Sequence, residues 1–256
     1  MGFMNEIAIV ILSCDKYKVT WKPCVDYFMN VWQNCPYKIY LLNNKQPSED
    51  PRVSDLLVGE DISWSDSLIR GLEKLSEKRV FFIYDDSFLT YLDVTAFENL
   101  FRIAIEQDLV SLTLRKNPFD KGICYNDSII KLHQTTRYRN ALFMNLIKRE
   151  VLLSLLRPGE NAWQFEKEGN DRNSRYDFYS INGRKTIVKY EHGIVKGKWL
   201  PKTKLKLMKA GYEVNDKSIG VFTWGEVLKM DIYVALFFQI NKFYHFSGIS
   251  KIVSKC

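Results

Sequence analysis

Apolar runs alternate with amphipathic segments through the first half of the chain. Short continuous apolar runs predict buried strands at residues 7–12, 37–42, 80–84 and 109–114. Apolar residues at helical spacing between these runs predict helices at residues 21–32, 65–78 and 92–107. Alternating strands and helices are typical of βαβ units. The pattern therefore predicts a mostly parallel sheet with helices on both faces.

The pattern becomes less regular after residue 115. The predicted elements there are short strands at 129–133, 141–146 and 186–190, a helix near 147–156 and a turn at 157–163. A long apolar run with scattered charges predicts a helix at 224–246. The chain contains no internal repeat. We therefore predict one α/β domain over residues 1–201 and a basic, helical C-terminal region over residues 202–256.

Polar residues follow three of the predicted strands at the point where each strand ends. These stretches are SCDKY (13–17), NNK (43–45) and DDS (85–87). A sheet of this kind binds ligands beyond the C-terminal ends of its parallel strands. The sequence therefore predicts a site at that edge of the sheet.

Two adjacent carboxylates, Asp85 and Asp86, come directly after a buried strand. Like charges side by side repel unless something neutralises them. Mg²⁺ and Mn²⁺ prefer oxygen ligands and take one or two carboxylates together with substrate phosphates. The pair is therefore a candidate metal site that would hold a diphosphate, and a solvated loop or a helix N-cap is the alternative interpretation.

Basic residues are concentrated near the C-terminus. The whole chain has 37 Lys and Arg against 30 Asp and Glu, a net charge of +7. Residues 183–256 hold 14 basic and 5 acidic side chains, a net of +9, so the rest of the chain is slightly acidic. Such a segment indicates a partner with phosphate groups: nucleic acid, an anionic membrane surface or a phosphorylated substrate. A solvated basic tail is the alternative.

Cysteine usage and hydropathy indicate the cellular compartment. The five cysteines form no C-x-x-C pair, which argues against a zinc site or a disulfide framework and favours a reducing compartment. The apolar run at 7–12 is too short for the core of a signal peptide, and the chain has no run of about 18 apolar residues. We therefore expect a cytoplasmic protein.

Four longer stretches span residues 9–201: VILSCDKYKVTWKP, CPYKIYLLNN, SWSDSLIRGLEKLSEKRVFFIYDDSFL, and LLRPGENAWQFE followed by GKWLP. Together they resemble bacterial glycosyltransferases with the GT-A fold, of the type that builds capsule or lipopolysaccharide sugars. The resemblance implies a Rossmann-like mixed, mostly parallel sheet with a C-terminal helical extension. It also implies transfer of a sugar from a nucleotide-sugar donor, a UDP-sugar, to a hydroxyl of a surface glycan or lipid-linked acceptor.

The resemblance implies roles for particular residues. The residues expected near the donor nucleotide are Ser13, Cys14, Asp15, Tyr17, Trp64, Ser65, Asp66 and Asp85. Asp85 and Asp86 would hold Mn²⁺ or Mg²⁺, with His192 as a further metal ligand. Asp15 as a turn cap, Asp66 as a helix N-terminal charge and His192 as a structural residue are the alternatives. Asp-Asp-Ser departs from a strict D-x-D spelling, which leaves open which aspartate touches the metal and whether metal is needed.

Glu166 is the candidate general base. An inverting transferase needs a carboxylate to take the proton from the acceptor hydroxyl. Glu166 follows Phe165 and lies near Trp163, apolar neighbours of the kind that raise a carboxyl pKa, and it matches the W-x-F-E stretch of the family. Glu160 and Glu168 are the alternative bases. An ordinary solvated glutamate is the plainer interpretation, and a retaining enzyme would need no base here.

Two further features suggest partners. Arg137 and Arg139 would grip a phosphate or an acidic sugar, or form a plain surface pair. The helix predicted at 224–246 joins apolar side chains to flanking lysines, which is typical of an anchor at the surface of an anionic membrane. A helix packed on the domain or at a homodimer seam is the alternative.

Two other functions compete with glycosyl transfer. Nucleotidyl transfer to a sugar phosphate usually needs a Gly-rich loop after the first strand, and SCDKY contains no glycine. A basic nucleic-acid-binding protein would bind DNA or RNA with a steep salt dependence and without need of Asp85 or Asp86. We expect an enzyme with no nucleic-acid partner.

Overall fold

The computed structural model describes residues 5–246, with the side chains of all of these except residues 170 and 237–246. The strands are β1 Ile7–Leu12, β2 Lys38–Asn43, β3 Ser54–Leu57, β4 Arg79–Tyr84, β5 Ser87–Leu92, β6 Ser111–Thr113, β7 Gly122–Cys124, β8 Ile129–Leu132, β9 Asn145–Lys148, β10 Phe178–Ile181, β11 Val188–His192, β12 Ile194–Val195, β13 Lys198–Trp199 and β14 Gly220–Val221. The helices are α1 Lys18–Val31, α2 Trp64–Glu73, α3 Val94–Glu106, α4 Arg149–Leu155, α5 Ala162–Arg172, α6 Pro201–Lys209 and α7 Trp224–Phe246.

A nine-stranded sheet in the order β3-β2-β1-β4-β9-β6-β10-β8-β7 forms the centre of the fold. Strands β3, β2, β1 and β4 are parallel neighbours, and β6 is parallel to β10. Strand β9 runs antiparallel between β4 and β6, and β8 runs antiparallel to β7 and β10. Seven strands, β1 to β4 with β6, β7 and β10, therefore run in one direction and end at one edge of the sheet. The predicted mixed, mostly parallel α/β sheet is confirmed.

Helices cover both faces of the sheet at β1 and β4, whose residues are apolar at every position except Arg79. On one face, alternate residues such as Val10 and Phe82 join Leu68 and Leu72 of α2 in a buried cluster. On the other face, the Phe81 ring lies 5.6 Å from Phe97 of α3 and 5.2 Å from Phe101. Burial on both faces explains why β1 and β4 are continuous apolar runs rather than alternating ones.

Two predicted elements have different limits in the structure. The helix predicted at 65–78 ends at Glu73, where the Lys74 and Leu75 amides bond back three residues and Leu75 turns into the core. The strand predicted at 141–146 begins only at Asn145, because residues before it form a turn in which Met144 has a positive φ of 57°. In both places a tertiary contact overrides the local pattern.

The chain divides into two compact units, residues 1–191 and 192–256. In the described part of the second unit, a small sheet of β12, β13 and β14 accompanies α6 and α7, so this region is not purely helical. The predicted limits of 1–201 and 202–256 remain a prediction. Across the described residues, no helix has the length and apolarity needed to cross a membrane.

Candidate active site at the C-terminal edge of the sheet

The polar stretches after β1, β2 and β4 meet at one edge because these strands are adjacent and in register. Leu12 pairs with Tyr84 on one side and with Leu42 on the other. The Asp85 amide donates to the Leu12 carbonyl at 3.2 Å, and the Ser13 amide donates to the Leu42 carbonyl at 3.0 Å. The predicted meeting of these loops is confirmed.

The Asp85 carboxylate is anchored by hydroxyl groups. Its Oδ2 accepts from the Ser13 hydroxyl and from Thr20 Oγ1, the latter at 2.9 Å. Trp21 Nε1 donates to Ser13 Oγ at 2.6 Å, which fixes the serine in turn. Thr20 and Trp21 are buried in the first turn of α1, so the helix holds the carboxylate in one orientation.

Both carboxylates of the acidic pair have raised pKa values, because Asp85 is buried and Asp86 is half-buried. Burial, reinforced by repulsion from Asp86, raises the pKa of Asp85 to about 8, and burial raises the pKa of Asp86 to about 6. Hydrogen bonds from Ser13 and Thr20 act against this rise for Asp85. Within the described part of the chain, neither aspartate forms an ion pair with a Lys, Arg or His side chain. The charged form of the pair is therefore poorly neutralised by the protein itself.

Asp86 forms the turn that joins β4 to β5. Its Oδ1 accepts from the Ser87 hydroxyl at 3.2 Å, and its side chain is half-buried. Strand β5 follows this turn and pairs with β11 in a two-stranded sheet that is separate from the central sheet. No cluster of three or more His, Cys, Asp and Glu side chains that would suit a metal occurs among the described residues. The protein therefore offers two carboxylates at this point.

Asp15 connects the loops after β1 and β2. Its carboxylate accepts from the backbone amides of Asn44, Lys45 and Gln46 at 3.0–3.2 Å, and its own amide donates to Asn44 Oδ1 at 3.1 Å. This is the cap that sequence reasoning kept as the alternative to base recognition. Contact between Asp15 and a nucleotide base stays a prediction.

Cys14 and Tyr17 lie within electrostatic reach of the acidic pair. Burial, followed by the charge of Asp85, raises the pKa of the Cys14 thiol. Burial also raises the pKa of the Tyr17 hydroxyl, with further contributions from Cys14, Asp85 and Asp86. The structure thus brings the predicted residues of the first loop to the same place as the predicted metal ligands.

The N-terminus of α2 is tied to the loop before α5. The Ser65 amide donates to the Glu160 carbonyl at 3.1 Å, and the Glu160 amide donates to Ser65 Oγ at 2.9 Å. The Gly159 amide donates to Asp66 Oδ2 at 2.9 Å, and the Trp64 ring lies 5.5 Å from Phe165. Through these contacts Trp64, Ser65 and Asp66 join the N-terminus of α2 to residues 159–165. Their predicted proximity to the nucleotide stays a prediction.

The three candidate glutamates have different surroundings. Glu160 pairs with Arg172 at 2.8 Å, and Glu168 is exposed. Glu166 is half-buried, and burial raises its pKa while the charge of Arg115 lowers it. Of the three, Glu166 alone combines partial burial with a carboxylate that has no ion pair among the described residues. That combination suits a base.

Tyr84 connects Glu166 to the acidic pair. It is the last residue of β4, directly before Asp85. Burial raises the pKa of its hydroxyl, and the charges of Glu166 and Asp86 add to the rise. The Tyr84 ring lies 5.1 Å from Phe143, over which the Arg115 guanidinium sits at 5.5 Å. The candidate base and the candidate metal ligand Asp86 therefore both act electrostatically on one tyrosine.

Sequence reasoning missed Thr20, Trp21, Tyr84 and Arg115 as parts of this site. Thr20 and Trp21 look like ordinary residues of an amphipathic helix, and Tyr84 looks like the end of a buried strand. Arg115 directly follows the apolar run at 109–114, so its position at the end of a predicted strand could have identified it as a candidate site residue. Only the tertiary contacts identify the other three.

The remaining predicted residues make other contacts or are exposed. Arg139 is 1% exposed, so the surface-pair interpretation is wrong for it. Its guanidinium donates to Asn173 Oδ1 at 3.1 Å and to the Tyr176 carbonyl at 2.8 Å, and it lies over the Phe178 ring. Arg137 is exposed. His192 is an exposed residue at the start of the second unit, and its metal role stays a prediction.

Comparisons with known proteins address the fold. No protein-family model and no curated protein sequence matches the chain. Among solved structures, TarS of S. aureus is similar with a TM-score of 0.51 and 9% identity, covering 75% of this chain and 37% of TarS. UDP-glucose pyrophosphorylase complexed with UDP-glucose is similar with a TM-score of 0.47 and 8% identity, covering 72% of this chain and 91% of the pyrophosphorylase. The glycosyltransferase GlyE of Streptococcus pneumoniae is similar with a TM-score of 0.36 and 17% identity, covering 56% of this chain and 34% of GlyE.

The similarity to TarS confirms the predicted fold class. This chain spans little more than a third of the TarS chain. At this level of identity the similarity concerns the fold alone.

Proposed function

We propose that the protein is a glycosyltransferase that moves a sugar from a nucleotide-sugar donor to an acceptor hydroxyl. One observation carries this proposal: two adjacent aspartates stand at the end of β4 without an ion pair among the described residues. Asp85 is buried and anchored by Ser13 and Thr20, and Asp86 is half-buried beside it. The pair lies where parallel α/β sheets bind their ligands. A half-buried glutamate, Glu166, and Asp86 of the pair are both within electrostatic reach of Tyr84.

The residues present suit a divalent cation. Asp85 and Asp86 offer hard oxygen ligands, and the burial that raises both pKa values is the cost that a bound cation would offset. Two carboxylates leave room for phosphate oxygens and water in the ligand shell of Mg²⁺ or Mn²⁺. The ion would neutralise the diphosphate as it leaves, a Lewis-acid role. His192 remains a proposed further ligand.

The proposed base is Glu166. A base must accept a proton near neutral pH, and a carboxyl whose pKa is raised by burial is better suited to this than a solvated one. The charge of Arg115 limits that rise and so favours the ionised form of the carboxylate. Such a base implies inversion at the anomeric carbon, with the acceptor hydroxyl attacking as it loses its proton to Glu166.

The donor nucleotide is proposed to lie over the loop after β1. Ser13, Cys14 and Tyr17 are at the acidic pair, and Asp15 fixes this loop to the one after β2. A UDP-sugar is the proposed donor, and a bacterial surface glycan of the capsule or lipopolysaccharide type, or its lipid-linked precursor, is the proposed acceptor. TarS has been crystallised with UDP and with UDP-GlcNAc, which makes these the first ligands to test.

The products of the reaction distinguish the proposal from its rivals. Purified protein is incubated with UDP-GlcNAc, UDP-glucose or UDP-galactose, Mn²⁺ and a mixture of glycan acceptors, and products are identified by mass spectrometry. Release of UDP with a gain of one hexose or hexosamine on an acceptor supports glycosyl transfer. Formation of a nucleotide sugar and pyrophosphate from a sugar phosphate and UTP would instead identify a nucleotidyltransferase. Tight, salt-sensitive DNA or RNA binding with neither product would favour the nucleic-acid-binding alternative.

A further inference from the structure

The first half of α7 carries a stripe of apolar side chains that face water. Trp224, Leu228, Ile232 and Leu236 are spaced four residues apart, so they lie on one face of the helix. Their exposed fractions are 62%, 61%, 50% and 51%. A helix in a soluble domain normally buries such a stripe against the core. Here the stripe is left uncovered, and contiguous exposed apolar surface of this kind marks an interaction site.

Helices α6 and α7 leave the small sheet of the second unit at one edge, and α6 carries exposed basic side chains. Strands β13 and β14 pair in parallel, Lys198 beside Gly220 and Trp199 beside Val221. Helix α6 starts two residues after β13 and α7 three residues after β14, so both helices leave from one edge of this small sheet. In α6, Lys202, Lys206 and Lys209 are exposed together with Leu205 and Met208. Helix α6 contains no acidic residue.

The sequence beyond the described side chains continues the same composition. Residues 237–256 contain Lys242, Lys251 and Lys255, several aromatic and aliphatic residues, and no Asp or Glu. From residue 192 to 256, eleven lysines stand against four acidic residues, of which Glu226 pairs with Lys198 and Asp231 lies on α7. Exposed apolar side chains beside such an excess of lysines match a surface that is both apolar and negatively charged. The interface of a bilayer that contains anionic phospholipid has this chemistry. A second copy of the chain would bring like charges together.

We propose that α6 and α7 bind the protein to the surface of an anionic phospholipid membrane, with the Trp224–Leu236 stripe in the interfacial layer and the α6 lysines at the headgroups. The helix lies on the membrane rather than crossing it, in agreement with its lack of a spanning segment in the described part. This inference concerns where the enzyme works and is independent of which sugar it transfers.

Vesicle co-sedimentation tests the apolar part of the proposal. The full chain is mixed with vesicles of phosphatidylcholine alone or of phosphatidylcholine with phosphatidylglycerol, and the bound fraction is measured. We expect the Leu228→Glu/Ile232→Glu variant to bind anionic vesicles about tenfold or more weakly, because two charges replace apolar contacts with the interface. Since both side chains are already exposed, the variant should fold normally. Ile62→Glu, a 71% exposed residue of the first unit, is the matched control and should bind as the wild type does.

The basic part has its own variant. Lys202→Gln/Lys206→Gln/Lys209→Gln should lose several-fold affinity for anionic vesicles and show a weaker dependence on salt. Equal binding of wild type and both variants to anionic vesicles, or no binding by the wild type, would overturn the proposal. So would a wild-type dimer in light scattering that the Leu228→Glu/Ile232→Glu variant converts to monomer without loss of vesicle binding. Donor hydrolysis or transfer to a soluble acceptor is measured in parallel, so that failure of the membrane inference is separable from failure of the proposed activity.

Discussion

At the scale of single residues, hydroxyl groups set the orientation of Asp85. Ser13 and Thr20 both donate to Asp85 Oδ2. These two bonds do not involve Asp85 Oδ1 or the Asp86 carboxylate. These donors also oppose the rise in the Asp85 pKa that burial causes. We therefore treat Thr20 as a positioning residue, which acts on the site through Asp85.

Thr20→Val tests this positioning role. Loss of the 2.9 Å bond should raise the Asp85 pKa further and weaken Mn²⁺ binding at pH 7 by roughly tenfold, the usual value of a hydrogen bond to a charged group. The acidic limb of the kcat/KM profile should then move to higher pH. Thr20→Ser, which keeps the hydroxyl, should restore both. An unchanged pH profile in Thr20→Val would show that Thr20 serves packing alone.

Glu166→Gln tests the base. We expect kcat to fall by roughly 10²–10⁴-fold, the range for general base catalysis, with donor binding little changed. The part of the acidic limb that reports the Glu166 carboxyl, whose pKa burial raises, should disappear from the profile of this variant, and the part that reports Asp85 should remain. Glu168→Gln is the matched control, because Glu168 is an exposed residue of the same helix and should keep activity. A loss confined to donor affinity would make Glu166 a binding residue.

At the scale of elements, the α2 N-terminus and the loop before α5 act as one structure. The link consists of the Ser65, Asp66 and Gly159 hydrogen bonds and of the Glu160–Arg172 pair, whose side chains are each 14% exposed. The loop thereby fixes the start of α5, on which Glu166 lies. Glu160 is thus assigned to structure and Glu166 to chemistry.

Glu160→Gln separates these assignments. Removing one partner of a mostly buried pair should lower the free energy of unfolding by about 1–3 kcal/mol. The kcat value of the folded fraction should change by less than about tenfold, in contrast to Glu166→Gln. Urea unfolding measures the first quantity, and the exposed pair broken by Lys22→Gln gives the control, with a cost below about 1 kcal/mol. A catalytic loss as large as that of Glu166→Gln, with stability unchanged, would reverse the roles.

The elements that sequence reasoning predicted well are those with strong local patterns. Strand β1 has the predicted limits, and α7 has the predicted range. The polar helix α5 was missed, although its Asn161–Gln164 capping box was visible as a signal. Strand β5 was missed because it follows the acidic pair at once and belongs to a separate two-stranded sheet. Pairing partners of such short strands depend on distant residues and cannot be derived from local periodicity.

At the scale of the whole molecule, the acidic pair links stability to pH. The pKa of Asp85 is raised to about 8 and that of Asp86 to about 6, whereas an unfolded aspartate titrates near pH 4. Between about pH 4 and 8 the folded chain therefore binds more protons than the unfolded chain does. Its stability should fall as pH rises through this window in the absence of metal.

Urea unfolding in EDTA at pH 5 and pH 8 measures this linkage. The Asp85→Asn/Asp86→Asn variant should lose less stability over the interval than the wild type, by an amount on the order of a few kcal/mol, since one pKa unit corresponds to about 1.4 kcal/mol. Glu166 and Asp120, whose pKa values burial also raises, contribute equally to both proteins and cancel in the comparison. The same pH dependence in variant and wild type would mean that the pair is not buried as described.

The acidic pair at the end of β4 is proposed to hold a metal-bound nucleotide sugar. Thermal unfolding in the presence of ligands tests this proposal most directly. Melting temperatures of wild type and Asp86→Asn are measured with UDP or UDP-GlcNAc, each with Mn²⁺ or EDTA. Ligands that bind only the folded state raise its stability according to concentration and affinity. We predict a rise for wild type with nucleotide plus Mn²⁺, a much smaller rise in EDTA, and little rise for Asp86→Asn, which should fold as the wild type does. An equal rise in Asp86→Asn and wild type, or no rise with any nucleotide sugar, would contradict the account.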